Sequence, residues 1–467
     1  MFQSCDTTIR EMLRGKTLDA LCEFVKLPSK SSDFDPDWQA HGYLQEACEK
    51  AAQWGQSLFA DATFEVMTAP GHTPALFFDI PATDERLGTA LFYGHFDKQP
   101  EAHGWSNNRQ PFVPSIEGNC LYGRGAADDG YSFYCALTAI YALKNAGIKH
   151  GRITGLIETD EESGSADMAH WLNVIDKRCG HVCLIVVLDS TSADYDRFWV
   201  TTSFRGCVNF TLNVQVLNQG VHSGSASGIV PDSFRIARSL LERLEDAQTG
   251  VVADSRLNCP IARERLEQIK ATAQILGTSV TSEFPWHNAT RACHEDIFES
   301  LIERGFQPKL CVVGADGLPP CNQAGRVMRD KTSLALSLRT PPELDTQAAL
   351  EVVTEILTQN PPYCADVTIT DGSTGNGWSA KLGCRWFDRA LQDACQDVFG
   401  LAPAYNCDGA SIPILNLMQS HFPDAQMLVT GVLGPGSNAH GPDEMLKLDY
   451  LEKLTGVIAR LLTHVEA

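Results

Sequence analysis

No run in this chain approaches the ~18 consecutive apolar residues of a membrane-spanning helix. Basic charge is scarce as well: 37 Lys and Arg stand against 58 Asp and Glu, a formal net charge of −21. Nucleic acid needs a basic face, so it is excluded as a partner, and an anionic membrane finds nothing here to attract. The 16 cysteines form no Cys-x-x-Cys pair and no dense framework, and they read as reduced, mostly buried thiols. The N-terminal stretch MFQSCDTTIREMLRGKTLDALCEF is charged throughout and lacks the apolar segment of a secretory signal, so the expected compartment is the cytoplasm. Three catalytic signatures are missing too. There is no HExxH and no GxSxG. GRGAAD has two glycines of a dinucleotide fingerprint but Asp128 at the third, where a pyrophosphate would meet a carboxylate.

What is present is a chain of 467 residues, long enough for two or three domains with proper cores. Apolar spacing predicts helices over 7–25 and 39–57, then strands over 64–68, 75–80 and 89–93. A helix opened by Asp128 and running over 129–146, apolar on most faces, is followed by a strand at 153–157. A helix at 166–175 and a strand at 182–188 complete this part. Such alternation is an α/β signature. After about 203 the pattern changes. Residues 208–216 and 332–338 alternate as half-exposed strands do, with helices over 232–245 and 347–357, a strand over 366–370, and a less regular stretch up to about 319. Helices at 385–399, 411–419 and 448–464 follow. The expected fold is an α/β domain (1–203 and 377–467) with a mixed, mostly parallel sheet flanked by helices, plus an inserted α+β domain (204–376).

The chemistry gathers where apolar runs stop. GTALFYGHFD ends at His95 and Asp97, GRITGLIETDEESGS at Glu161 and Glu162, and CLIVVLDS at Asp189. Ligands of open α/β sheets bind at the carboxyl ends of strands, and zinc-like cations take His and carboxylate ligands from separate loops. Asp97 can receive the second N–H of His95 and fix its tautomer. Adjacent Glu161 and Glu162 point in different directions, so one can bind metal while the other takes a proton from bound water. Taken singly, each also looks like a helix cap or a solvated acidic loop, and His440 in GPGSNAHGPDE is a weak signal alone.

Together, GHFD, GRGAADDG, DEESGS, the Asp189 strand end and NAHGPDE resemble, in order and separation, the co-catalytic dizinc metallopeptidase family. That family includes carnosine dipeptidase, bacterial dipeptidases, aminoacylase, glutamate carboxypeptidase and succinyl-diaminopimelate desuccinylase. The resemblance covers essentially the whole chain. It implies two divalent ions, zinc first with manganese or cobalt as alternatives, and an inserted lid domain through which the protein homodimerises. His95 and Asp189 would hold one ion, Glu162 and His440 the other, with Asp128 bridging. Glu161 matches the general base and Asp97 the carboxylate that orients the histidine. The resemblance also implies a cis Asp128–Asp129 peptide. VHSG resembles the lid's HSG motif, making His222 the oxyanion donor, delivered into the partner's site. Arg339 matches the grip on the substrate's C-terminal carboxylate, and DGASIP places Gly409 and Ser411 at the substrate. Aspartate at 189 goes with dipeptidases and aminopeptidases, which makes small peptides the expected substrates and N-acyl amino acids the alternative; a non-catalytic binding protein would have lost a ligand or the base. The pattern departs from the family at Gly130, where DDKG is usual, and at Ala410, where a glycine is lost.

Overall fold

The computed structural model describes residues 2–409 and 414–467. The chain divides into two compact units: Met1–Thr201, Lys381–Asn406 and Leu417–Ala467 form the first, Thr202–Ala380 and Cys407–Asn416 the second.

The first unit is built on a mixed sheet with a parallel centre. Its strands lie in the order Thr63–Met67, Ala75–Ile80, Ile153–Glu158, Thr89–His95, Val182–Val187, Gln426–Val429 and Trp199–Phe204. The middle four run parallel, and the pairings outside them are antiparallel. Ile153–Glu158 and Val182–Val187 are buried at every residue, which is why they read as unbroken apolar runs: a parallel strand is covered on both faces. Phe92, Ile140, Val186, Leu391 and Leu454 belong to one continuous core shared by sheet and helices. No helix among the described residues is long and apolar enough to cross a membrane.

Local backbone chemistry moved several boundaries. The single helix expected over 7–25 is two, Gln3–Leu13 and Lys16–Val25, because Gly15 adopts φ −136°, ψ −112°, open to glycine but not to a helix. Asp128 does not open a regular helix. It lies in the irregular turn Ala126–Gly130 at φ −129°, ψ 94°, and the helix proper is Tyr131–Asn145. Of the helix expected over 411–419, residues 411–413 lie outside the described residues, and Ile414–His421 is helical. The short strands Trp199–Phe204, Ala404–Asp408 and Gln426–Val429 were not expected.

The second unit holds an antiparallel sheet in the order Lys309–Asp316, Lys331–Thr340, Gly206–Gln215, Asp366–Gly375. Gly206–Gln215 alternates buried and more open positions, and Val208, Phe210, Leu212 and Val214 meet Val353 and Leu357 of the helix Thr346–Thr358 in its core. The stretch read as less regular contains the helices Arg263–Leu276 and Ile297–Phe306. Arg263–Leu276 buries only Arg265, Ile269 and Thr272, too thin a face to show as apolar periodicity.

Candidate metal centre

The first unit delivers its donors at the carboxyl ends of the parallel strands. His95 is the last residue of Thr89–His95, and Asp189 lies two residues beyond Val182–Val187. Glu161 and Glu162 form the single turn Glu161–Ser163 after Ile153–Glu158. Asp128 comes from the irregular turn, whose Asp128–Asp129 peptide is cis as the resemblance implied. Glycine allows the approach. A Cβ at Gly94 would sit 2.1 Å from Ser132 Oγ and 2.7 Å from Asp129 Oδ2, so only a bare backbone admits this turn against the strand. His440 sits in the loop before Met445–Lys447, at φ +63°.

These side chains converge into two groups, His95, Asp128 and Asp189 in one and Asp128, Glu162 and His440 in the other. His95 Nε2 lies 3.3 Å from Asp128 Oδ1 and 3.8 Å from Asp189 Oδ2. His440 Nε2 lies 2.9 Å from Asp128 Oδ2 and 3.3 Å from Glu162 Oε2. Glu161 belongs to neither group: its Oε2 is 3.9 Å from His95 Nε2 and its side chain is 22% exposed, against 4% for Glu162. The two groups also differ in access, His95 being sealed and His440 55% exposed.

The donor set fits cations. His95 Nε2 is buried with no hydrogen-bond partner. With the ring proton on Nδ1, donated to the main-chain O of Asp97 at 3.0 Å, Nε2 presents a lone pair to the carboxylates around it. One imidazole and two carboxylates per group is a borderline-cation set with room for water. The titration behaviour of the bare residues reflects the same crowding. Burial, then the charge of Asp189, raises Glu161 well above the ordinary carboxylate range. Burial and Asp128 push Glu162 up to about 8, and burial lifts Asp189 to about 6. Burial would raise Asp128 too, but its contacts with His440 and His95 outweigh it and hold it low. The contact with Asp128 raises His440 to about 9. His95 is raised well above its ordinary value although burial opposes this, because Asp128 and Asp97 lie against it.

Asp97 lies against His95 as expected and also holds the acidic turn. Its carboxylate Oδ1 is 3.5 Å from His95 Nδ1, while its two oxygens accept the backbone N–H groups of Glu161 at 3.2 Å and Glu162 at 2.9 Å. The main-chain O of Asp97 orients the histidine and its carboxylate orients the acidic turn. Three further residues were not singled out from the sequence. Gln99 Nε2 donates to Glu162 Oε2 at 2.6 Å, and Asp129 Oδ2 accepts the His95 N–H at 3.2 Å. Buried Lys98 donates to the carbonyls of Phe24 and Leu27 at 2.9 and 2.8 Å, docking the loop after His95 onto the end of Lys16–Val25. Adjacency to HFD was the available signal for Gln99 and Lys98.

The remaining expected residues belong to the second unit. His222 is exposed, in the two-residue strand Val221–His222 paired with Val327–Met328. Arg339 is half-buried near the end of Lys331–Thr340, opposite Cys207 and Lys309. A Cβ on Gly409 would sit 2.9 Å from Arg205 Nη2, and burial with the neighbouring charge of Arg339 lowers Arg205 to about 10. Arg205, not anticipated, lies beside Gly409 and within electrostatic reach of Arg339. Ser411 and Ala410 lie outside the described residues.

Residues 91–464 match the model of peptidase family M20/M25/M40. The chain belongs to that family. It is a metal-dependent peptidase. It is 23% identical over 431 residues to the cysteinylglycine-S-conjugate dipeptidase of Corynebacterium striatum, covering 89% of each chain. It is 22% identical over 479 residues to the Cys-Gly metallodipeptidase DUG1 of Saccharomyces cerevisiae, covering 96% of this chain and 94% of the other. Human carnosine dipeptidase 1 shares the fold, with a TM-score of 0.73 at 21% identity over 100% of this chain and 98% of that one. In this M20 peptidase the departure at Gly130 has a steric cause: a Cβ there would sit 2.2 Å from the Phe24 ring and 2.6 Å from the Gly125 carbonyl.

Proposed function

We propose that this peptidase hydrolyses the amide bond of dipeptides and similar small peptides at a dinuclear centre. His95, Asp128 and Asp189 would hold one divalent ion, and Asp128, Glu162 and His440 the other, zinc being the first candidate. The observation that carries this reading is the position of Asp128, whose two oxygens face different histidines. Two divalent ions so placed would bring a shared water near neutrality in pKa and polarise the scissile carbonyl. Glu161, beside both groups and outside each, takes the proton from the attacking water on its carboxylate and returns it to the leaving amine nitrogen. His222 would donate to the developing oxyanion, Arg339 would grip the substrate's C-terminal carboxylate, and Gly409 and Ser411 would lie at the substrate. The second unit would pair two copies into a homodimer.

The substrate class rests on the two dipeptidase relatives, each aligned over most of this chain. A panel with zinc, manganese or cobalt separates the readings. Cys-Gly, carnosine and simple α-dipeptides are expected to be cleaved at least tenfold faster, in kcat/KM, than acetyl- and succinyl-amino acids, a gap of about 1.4 kcal/mol in transition-state binding. The reverse order would make the protein a deacylase. Chelation supplies a second test. Each ion at about 100 times its Kd is expected to add about 2.7 kcal/mol of stability, so removing both should lower Tm by several degrees in calorimetry. A Tm indifferent to chelator and to re-added metal would contradict a centre that binds ions.

A further inference from the structure

The segment that carries Asp128 and the loop that carries His440 meet at a buried ion pair with no part in either donor group. Arg124 Nη1 donates to Glu444 Oε2 at 2.8 Å, and the two side chains are 1% and 0% exposed. Each partner reaches further. Arg124 Nη2 donates to the carbonyls of His440 at 3.1 Å and Gly441 at 2.9 Å. Glu444 Oε1 accepts the N–H groups of Ala127 at 3.0 Å and Asp128 at 3.2 Å, and Oε2 that of Gly125 at 3.1 Å. The loop being held is an unusual one, with Asn438, His440 and Asp443 all in left-handed backbone at φ 51°, 63° and 60°. Residues other than glycine stay there only when their surroundings over-determine them.

Stability alone does not account for this pair, since a well-packed apolar pair of similar volume often serves as well. Direction does. A planar fork with five donors can span a carboxylate and two carbonyls at once, and a carboxylate can accept several backbone amides. His95, by contrast, is fixed independently, by the Asp97 carbonyl and by Asp129.

We propose that Arg124 and Glu444 form a positioning clamp that sets the distance between Asp128 and His440, and so tunes the affinity of the Glu162–His440 ion site separately from the His95–Asp189 site. This rests on the reading of those residues as ligands given above. The test is Arg124→Lys, which keeps the charge and loses the fork. Metal-free protein is titrated with Co(II), followed by visible absorption and calorimetry. Wild-type protein is expected to take up two ions. The variant should bind the ion of the Glu162–His440 group about 10–100-fold less tightly, the usual cost of losing a group that orients a ligand, and leave the ion of the His95–Asp189 group unchanged. Its kcat should recover at saturating metal. A variant with lowered Tm but both ion affinities unchanged, or with both weakened alike, overturns the clamp. Should Arg124→Lys not fold, Glu444→Gln probes the same clamp from its other end, where Glu444 Oε2 pairs with Arg124 and accepts the Gly125 N–H. That variant should weaken the same ion several-fold, and unchanged affinity overturns the proposal. Wild-type protein binding fewer than two ions would instead overturn the dinuclear reading itself.

Discussion

Glu161→Gln is expected to keep the fold and both ions while kcat falls by about 10²–10⁴-fold, the usual contribution of a general base. The substitution preserves shape and removes only the ability to hold the proton. Glu162→Gln should behave differently although it is one residue away. An amide is a poor donor to a divalent ion, and Glu162 shares with Asp128 the face toward His440. Its loss should appear first as weaker metal binding and as kcat restored at high metal. Metal analysis of both variants beside their kinetics decides the matter. If Glu161→Gln loses an ion and Glu162→Gln retains both with kcat collapsed, the two roles are exchanged.

His222→Ala should lose about 10²–10³-fold in kcat while binding both ions normally, as removal of an oxyanion donor does. His222 is exposed and belongs to neither donor group, so metal content gives a clean control. If the residue acts across a homodimer, His222→Ala and Glu161→Gln proteins, each nearly inactive, should regain activity when their subunits exchange. A mixed dimer has one site that combines an intact Glu161 with the partner subunit's His222. Confirmed exchange without recovery would place His222 in its own chain's site or outside catalysis, and a fully active monomer would remove the trans arrangement.

The converging residues were legible because a parallel strand buried on both faces is an unbroken apolar run. Its end is therefore visible: His95 is the last residue of one such strand, and Glu161 and Asp189 follow two others. The same logic failed where burial was partial or elements were short. Gln426–Val429 is four residues long, and Arg263–Leu276 presents too few buried positions to show a period. The break at Gly15 is a backbone event inside a pattern that side chains alone continue. Arg124, Glu444 and Arg205 were invisible for another reason: their partners lie far along the chain or depend on how strands align, as with the 320 positions between Arg124 and Glu444. Asp97 was read as the partner of His95, and the folded turn adds that its carboxylate also accepts the N–H groups of Glu161 and Glu162.

That turn has a mechanical consequence. One carboxylate gripping two consecutive amides restrains the backbone from which both glutamates project. The proposed proton carrier and the proposed ligand therefore project from one backbone support, and loosening it displaces both. Such a displacement would alter proton transfer and ion retention in the same stroke, so variation at 97 cannot be sorted into one effect or the other. Asp97→Asn, which offers an N–H where an acceptor is needed, would loosen that support on one side.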